Sequence, residues 1–278
     1  MKKKILLTAA AVIILLTAWL ICDNQRIVVS RYTVTDERLP AGFEGYRIAQ
    51  ISDLHNAEFG EGNEKLLEIL SREKPDIIVI TGDLVDSRRT DVDVALGFAA
   101  EAVKIAPCYY ITGNHESRIG DYEALRTGLE DLGVVVLDSR AVTLERNGDT
   151  AALVGLPDYS FFPGNNGEEC VAAMLASIAD VDTDGYTILL QHRPELMHRY
   201  DNMGFELLFS GHAHGGQFRL PLIGGLFAPD QGWFPAYDSG VYREGDMTMV
   251  VSRGLGNSIV PVRVHNPPEV VIVTLSRG

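Results

Sequence analysis

From Tyr46 onward the chain alternates short apolar runs with segments of helical periodicity, and five of the runs end directly in Asp, His or Asn. Ile51-Ser52 leads into Asp53-Leu-His55, and Ile80-Thr81 into Gly82-Asp83-Leu-Val-Asp86. Ile111-Thr112 leads into Gly113-Asn114-His115-Glu116, Leu189-Leu190 into Gln191-His192, and Phe209-Ser210 into Gly211-His212-Ala-His214. Strands alternating with helices predict an α/β fold with a largely parallel sheet. In such a sheet ligands bind in the crevice beyond the carboxyl ends of the strands. Five separate segments would therefore deliver their polar residues to one rim. Each motif alone is weak, because Gly-Asp often only turns the chain and His-x-His can decorate a surface. Together they hold five of the 7 histidines, and that joint placement excludes decoration.

The pattern predicts strands at 47–51, 76–81, 109–112, 134–137, 141–145, 151–155, 186–190, 207–209, 247–252 and 270–275. Helices are predicted at 63–74, 92–104, 122–132, 170–179 and, briefly, 194–200. Residues 23–44 read as a juxtamembrane connector with one strand, Arg26–Val34, and 45–278 as a single catalytic domain. Gly215–Gly240, rich in Gly, Pro and aromatic residues, reads as too irregular for regular structure and too long to be idle.

The amino terminus is different in kind. Met1-Lys-Lys-Lys4 precedes an apolar run, 5–22, broken only by Thr8 and Thr17. At about 1.5 Å per residue this run makes roughly 27 Å of helix, near the hydrocarbon thickness of a bilayer. Signal peptides have shorter apolar cores and end in small residues, whereas this run exits through Trp19-Leu20-Ile21-Cys22. The run is therefore expected to stay as a single transmembrane helix. The lysines are expected to stay in the cytoplasm, with the body outside the cell membrane.

Charge narrows the chemistry. Lys+Arg is 24 against Asp+Glu 38, a net charge of −14, and three of the lysines precede the apolar run. Such a body has no electrostatic footprint for nucleic acid. To bind an anion it must reverse its sign locally, and metal cations do that. Mixed imidazole and carboxylate donors suit Mn, Zn or Fe better than Ca or Mg. Donors this numerous exceed what one ion needs and suit two ions about 3.5–4 Å apart. Three cysteines (Cys22, Cys108, Cys170) are too few for a disulfide scaffold.

Taken in order, Asp53-x-His55, Gly82-Asp83, Gly113-Asn114-His115-Glu116, His192 and Gly211-His-x-His214 resemble the calcineurin-like metallophosphoesterases. Gly211-His-Ala-His-Gly-Gly-Gln217, Ser252-Arg-Gly-Leu-Gly256 and Asn266-Pro-Pro-Glu269 resemble its membrane-associated bacterial branch. The resemblance implies two facing mixed β-sheets flanked by helices. It also implies a dinuclear site of two divalent ions whose bridging hydroxide attacks a phosphoester. Asp53, His55, Asp83 and His214 would hold the first ion. Asp83, Asn114, His192 and His212 would hold the second. His115 would assist the leaving oxygen and Asp86 would orient His115. Glu116 stands where Asp is frequent and Ala213 where Thr or Ser is frequent, neither a ligand position.

Two alternatives accompany this phosphoesterase reading. One is a pyrophosphatase acting on a lipid-linked nucleotide such as UDP-diacylglucosamine; the other is a metal-binding scaffold without turnover. The scaffold reading is disfavoured because every ligand and catalytic position is intact. Nothing in the sequence calls for an obligate protein partner. His198 and His265 read as loop or helix surface residues, and Cys108 as a small buried hydrophobe. The aromatics Phe161, Phe162, Phe227, Trp233 and Phe234 read equally as loop anchors or as contacts to lipid or substrate.

Overall fold

The structure is a computed structural model and describes residues 1–181, 185–200, 202–257 and 259–278. A long helix α1 (Lys2–Gln25) leads into β1 (Val28–Thr35), β2 (Arg47–Ile51), α2 (Glu64–Glu73), β3 (Ile77–Thr81), α3 (Val92–Ala102), β4 (Cys108–Ile111), α4 (Tyr122–Asp131) and β5 (Val135–Val136). The chain continues through β6 (Arg140–Arg146), β7 (Asp149–Gly155), α5 (Gly167–Ala176), β8 (Thr187–Leu190) and β9 (Leu207–Ser210). Two small ladders follow, β10 (Arg219–Leu220) with β11 (Gly224–Gly225) and β12 (Phe227–Ala228) with β13 (Gly232–Trp233). The last strands are β14 (Gly240–Glu244), β15 (Met247–Val251) and β16 (Glu269–Ser276).

The strands form two six-stranded sheets, in the orders β1-β16-β2-β3-β4-β5 and β14-β15-β9-β8-β7-β6. Each is mixed. In the first, only β16 against β2 is antiparallel; in the second, β14–β15 and β6–β7 are. Side chains alternate across a strand, so the fully buried β3 faces two cores. Ile77 and Val79 pack toward the second sheet with Leu153, Ile188 and Phe209. Ile78 and Ile80 pack toward the helices, against Leu66 and Leu70 of α2, Phe98 of α3 and Leu125 of α4. On the far side of the second sheet, Val154, Leu189 and Met249 cover Val171 and Met174 of α5. The result is a four-layer sandwich, helix–sheet–sheet–helix. Helix starts follow local capping: Asp91, Asp121 and Asn166 each accept a backbone N–H from the first turn of α3, α4 and α5.

The structure sharpens the sequence reading in three places. The largely parallel sheet read from the alternation is resolved into the two facing mixed sheets, flanked by helices, that the family resemblance implied. The one strand expected in 23–44 is β1, which pairs with β16 from Val28 to Thr35, and Val34, Leu39 and Phe43 of this stretch also pack between the sheets. The 215–240 stretch contains the two small ladders, and β14, which begins at its end, had no strand assigned. Helix α1 is apolar on all faces with none of its apolar window buried against the body, so it is long and apolar enough to cross a membrane.

Candidate metal centre

Loops leaving β2, β3, β4, β8 and β9 meet at one rim where the two sheets join. Gln50 fastens that junction, donating from Nε2 to Thr81 Oγ1 at 3.0 Å and to the Ser210 carbonyl at 2.8 Å. Asp53, His55, Asp83 and His214 present ligand atoms within 4.8 Å of one another, as do Asp83, His192 and His212. Asp83 belongs to both groups: its Oδ2 lies 3.5 Å from His55 Nε2 and 3.4 Å from His192 Nε2. His214 Nε2 lies 3.4 Å from Asp53 Oδ1 and 3.1 Å from His55 Nε2. Asn114 and His115 line the same cleft, of about 420 Å³, together with Arg88, Arg118 and Asp230.

The backbone makes this convergence possible. Asp53, His55, Asp83, His212 and His214 have φ of 51°, 48°, 50°, 64° and 47°. These are left-handed turns that cost conformational energy and cluster at functional sites. Glycines supply the closeness. At Gly82, where φ is +89°, a Cβ would come within 2.6 Å of Gly113 N and His192 Nδ1. At Gly211 it would meet Ser52 Oγ at 1.9 Å and Asp53 Oδ2 at 2.5 Å.

The donors fit cations. His192 Nδ1 donates to the Thr81 carbonyl at 2.7 Å, which leaves Nε2 facing the site. That Nε2 and Asn114 Oδ1 are buried and lack a hydrogen-bond partner, an expensive state that a shared cation relieves. His212 Nε2 lies 2.9 Å from Asp230 Oδ2, so its N–H donates to the carboxylate and Nδ1 is free for a ligand, the usual support for a metal-binding imidazole. Burial holds His55 and His214 below the usual imidazole range, hence neutral. Burial opposes charge on His192 and Asp83 too, yet Asp83 raises His192 to about 10 and His192 holds Asp83 well below the carboxylate range.

His115 sits beside the cluster rather than in it. Its backbone N–H donates to Asp83 Oδ1 at 2.8 Å, and its ring centroid is 4.5 Å from that of His55. Nδ1 accepts the Ser87 N–H at 3.0 Å, which sets the proton of the neutral ring on Nε2. Burial pulls this imidazole down to about 4. Asp86, expected to orient His115, is not within hydrogen-bond distance of its Nδ1. Asp86 Oδ1 lies 4.0 Å from Nδ1 and accepts the Arg88 N–H at 2.8 Å instead. Asp86 therefore acts on His115 through charge, and Ser87 fixes the tautomer.

Several residues to which the sequence reading gave no role shape the site. Glu116 accepts backbone N–H groups from Asp83 at 3.0 Å, Leu84 at 2.7 Å and Gly113 at 2.9 Å, tying the ends of β3 and β4; burial pushes its carboxyl up to about 8. Arg193, next to His192, is buried with Nε 2.5 Å from Asp158 Oδ2, its guanidinium 4.1 Å over the Tyr159 ring and a further ion pair to Asp230. Arg263, fully buried, donates to the Arg253 carbonyl at 2.7 Å and has Nη2 3.2 Å from His214 Nδ1. Adjacency to His192 was the one signal for Arg193; Asp158, Asp230 and Arg263 had none. His198 is exposed and outside the site, as read, and His265 packs on Trp19 with ring centroids 5.2 Å apart.

Two facing mixed sheets with a buried, doubly clustered Asp/His site at their common rim define a metal-dependent phosphoester hydrolase. The family model for calcineurin-like phosphoesterases matches residues 46–216, and the chain belongs to that family. An uncharacterized metallophosphoesterase of Aquifex aeolicus is 31% identical over 94% of this chain and 97% of its own length. The phosphodiesterase YaeI of Escherichia coli is 28% identical over 83% of this chain and 82% of its own. Among solved structures, a dimetal phosphatase from Danio rerio superposes with TM-score 0.50 at 14% identity, covering 76% of this chain and 88% of that one. The cofactor of this family is a pair of divalent metal ions, and this chain has a buried cluster of Asp and His residues that could hold them.

Proposed function

We propose that this protein is a membrane-anchored phosphoesterase whose catalytic body lies outside the cytoplasm. Asp53, His55, Asp83 and His214 would hold one ion, and Asp83, Asn114, His192 and His212 the other. The observation that carries this is Asp83 Oδ2 standing between His55 Nε2 at 3.5 Å and His192 Nε2 at 3.4 Å. When bound, the ions supply a water nucleophile at neutral pH and neutralise charge on the phosphoryl oxygens. The chain's own groups do the rest. Arg88 and Arg118 give the cleft the positive charge that the acidic body lacks. His115 Nε2–H is placed to hydrogen-bond or protonate the leaving oxygen. Arg193 and Asp230 hold His212 in place. Asp83→Asn should lower metal content at both positions and abolish hydrolysis, whereas His55→Ala should mainly remove one ion. An active, unchelated protein holding one ion or none would refute the dinuclear assignment.

The cleft also has an apolar wall of Phe227, Ile259 and Val260. This supports the lipid-linked reading, in which the phosphoester or pyrophosphate is joined to an apolar group. A screen of monoesters, diesters and lipid pyrophosphates with metal restored separates the two. The anchor rests on α1, which at about 1.5 Å per residue is roughly 36 Å long. Protease added to intact spheroplasts should digest the body; protection until the membrane is broken would reverse the topology.

A further inference from the structure

The hairpin formed by β10 and β11 presents Leu220, Leu222 and Ile223 to solvent, with Leu222 fully exposed and Ile223 61% exposed. Nothing in the catalytic centre uses them. Exposed apolar tips of this kind mark interaction surfaces when they are contiguous and positioned by a rigid base. The base here is rigid. Arg219 N–H donates to the Val264 carbonyl at 3.0 Å, and Phe218 bridges to Val264. The next residues of that segment are fastened to α1. Asn24 Nδ2 donates to the Arg263 carbonyl at 2.9 Å, Arg263 N–H donates to Asn24 Oδ1 at 2.7 Å, and His265 packs on Trp19. His265 and the hairpin tip line one cavity. Trp19 and Asn24 are about 7 Å apart along the helix, a span that carries α1 from hydrocarbon to headgroup depth. Trp favours that boundary.

Charge does not oppose this contact. None of the 38 acidic residues of the chain falls in 207–229 or 247–268, the two stretches that supply the hairpin and the segment bound to α1. These stretches carry Arg219, Arg253 and Arg263. In the fold Arg219 is paired with Asp238 at 3.0 Å and Arg253 with Glu269 at 3.4 Å, and Arg263 is buried, so the charges here are balanced and the contact rests on the apolar tip.

We propose that the β10–β11 hairpin is a second membrane contact, whose apolar tip enters the headgroup layer of the bilayer that holds α1. The inference rests on the anchoring of α1 argued above. It fixes the body's orientation, turning the cleft wall of Ile259 and Val260 toward the lipid surface that the hairpin touches.

The test uses full-length protein with Cys22→Ser and Cys170→Ser, which leaves only the buried Cys108. A polarity-sensitive fluorophore is placed at Leu222→Cys, and at Ile223→Cys as a second tip position. Ile13→Cys in α1 reports the anchor, and exposed Glu145→Cys on β6, at the far edge of the second sheet, is the control. In phosphatidylcholine–phosphatidylglycerol vesicles, labels at 222, 223 and 13 should shift to the blue and lose emission to spin-labelled lipid, while the label at 145 does neither. Quenching at 13 with labels at 222 and 223 as bright as at 145 overturns the contact and leaves the anchor standing. Quenching at 222 without quenching at 13 overturns the anchor, and with it the shared bilayer that this contact requires.

Discussion

Removing the His115 imidazole separates the chemistry of the leaving group from the integrity of the metal centre. The contacts of this residue divide between backbone and side chain. The backbone N–H that holds Asp83 Oδ1 at 2.8 Å survives in His115→Ala, so the ligand Asp83 keeps its support. The side chain packs edge-on against the His55 ring, and its Nδ1 accepts a hydrogen bond from the Ser87 N–H at 3.0 Å, in a turn that water can reach. Its loss costs about 1 kcal/mol of stability, far too little to unfold a domain of this size. The catalytic cost is larger. A positioned proton donor contributes about 10²–10⁴-fold, or roughly 2.7–5.5 kcal/mol of barrier. That contribution is made only where the departing oxygen needs a proton. His115→Ala should therefore keep both ions, measured by elemental analysis. It should lose about 10²–10⁴-fold in kcat on alkyl phosphoesters and much less on nitrophenyl esters. Plotted against leaving-group pKa, the rates of the variant should fall more steeply than those of the wild type. Loss of metal, or an equal slowing of every leaving group, would refute the assignment.

Asp86→Asn should show a weaker form of the same selectivity, below about tenfold, because at 4.0 Å from Nδ1 the carboxylate acts through charge and costs about 1 kcal/mol or less. Gly211→Ala forces a methyl to within 2.5 Å of Asp53 Oδ2 and should cost about 1–3 kcal/mol in denaturant melts together with metal content; full metal occupancy would argue against the close-packing account. Asp158→Ala leaves the buried Arg193 without its main partner and should cost about 3–5 kcal/mol in thermal unfolding. Against the opposing effect of burial, Arg193 lowers the Asp158 carboxyl, so its stabilising share is present above the unfolded pKa of about 3.9 and is lost as pH falls below it. A wild type and an Asp158→Asn variant whose stabilities stay equally far apart from pH 7 down to pH 2 would contradict that link.

The convergence of these side chains was legible because each follows its strand within a few residues, and an α/β sheet gathers strand ends whatever the detailed topology. Helix and strand bounds in the first half agree with the pattern to within one or two residues for the same reason. Topology was less legible: β7, β8 and β9 alternate with helical segments just as β2, β3 and β4 do, so the sequence pattern alone does not say that they make a second sheet. β14 was hidden because Val241-Tyr-Arg-Glu244 is short and follows a Gly-rich stretch. Arg193 and Arg263 look like ordinary surface charges in sequence; only the folded chain shows that Asp158 and the Arg253 carbonyl await them. The His115–Asp86 geometry failed on a finer scale. A spacing of three residues from Asp83 brings Asp86 near, but the intervening turn offers the Ser87 N–H to the ring first.

The left-handed backbone at Asp53, His55, Asp83, His212 and His214 places a second filter on these positions. Outside glycine, that conformation is tolerated best by Asn, Asp and His, and it penalises β-branched side chains most. The residue types proposed to bind the ions are thus also the ones that let the chain turn, and each position has a very small alphabet for two unrelated reasons. An Asp53→Asn or Asp83→Asn exchange removes charge while the turn persists, so its effect reports coordination. An exchange to Val or Thr at the same place would report a broken turn as much as a missing ligand.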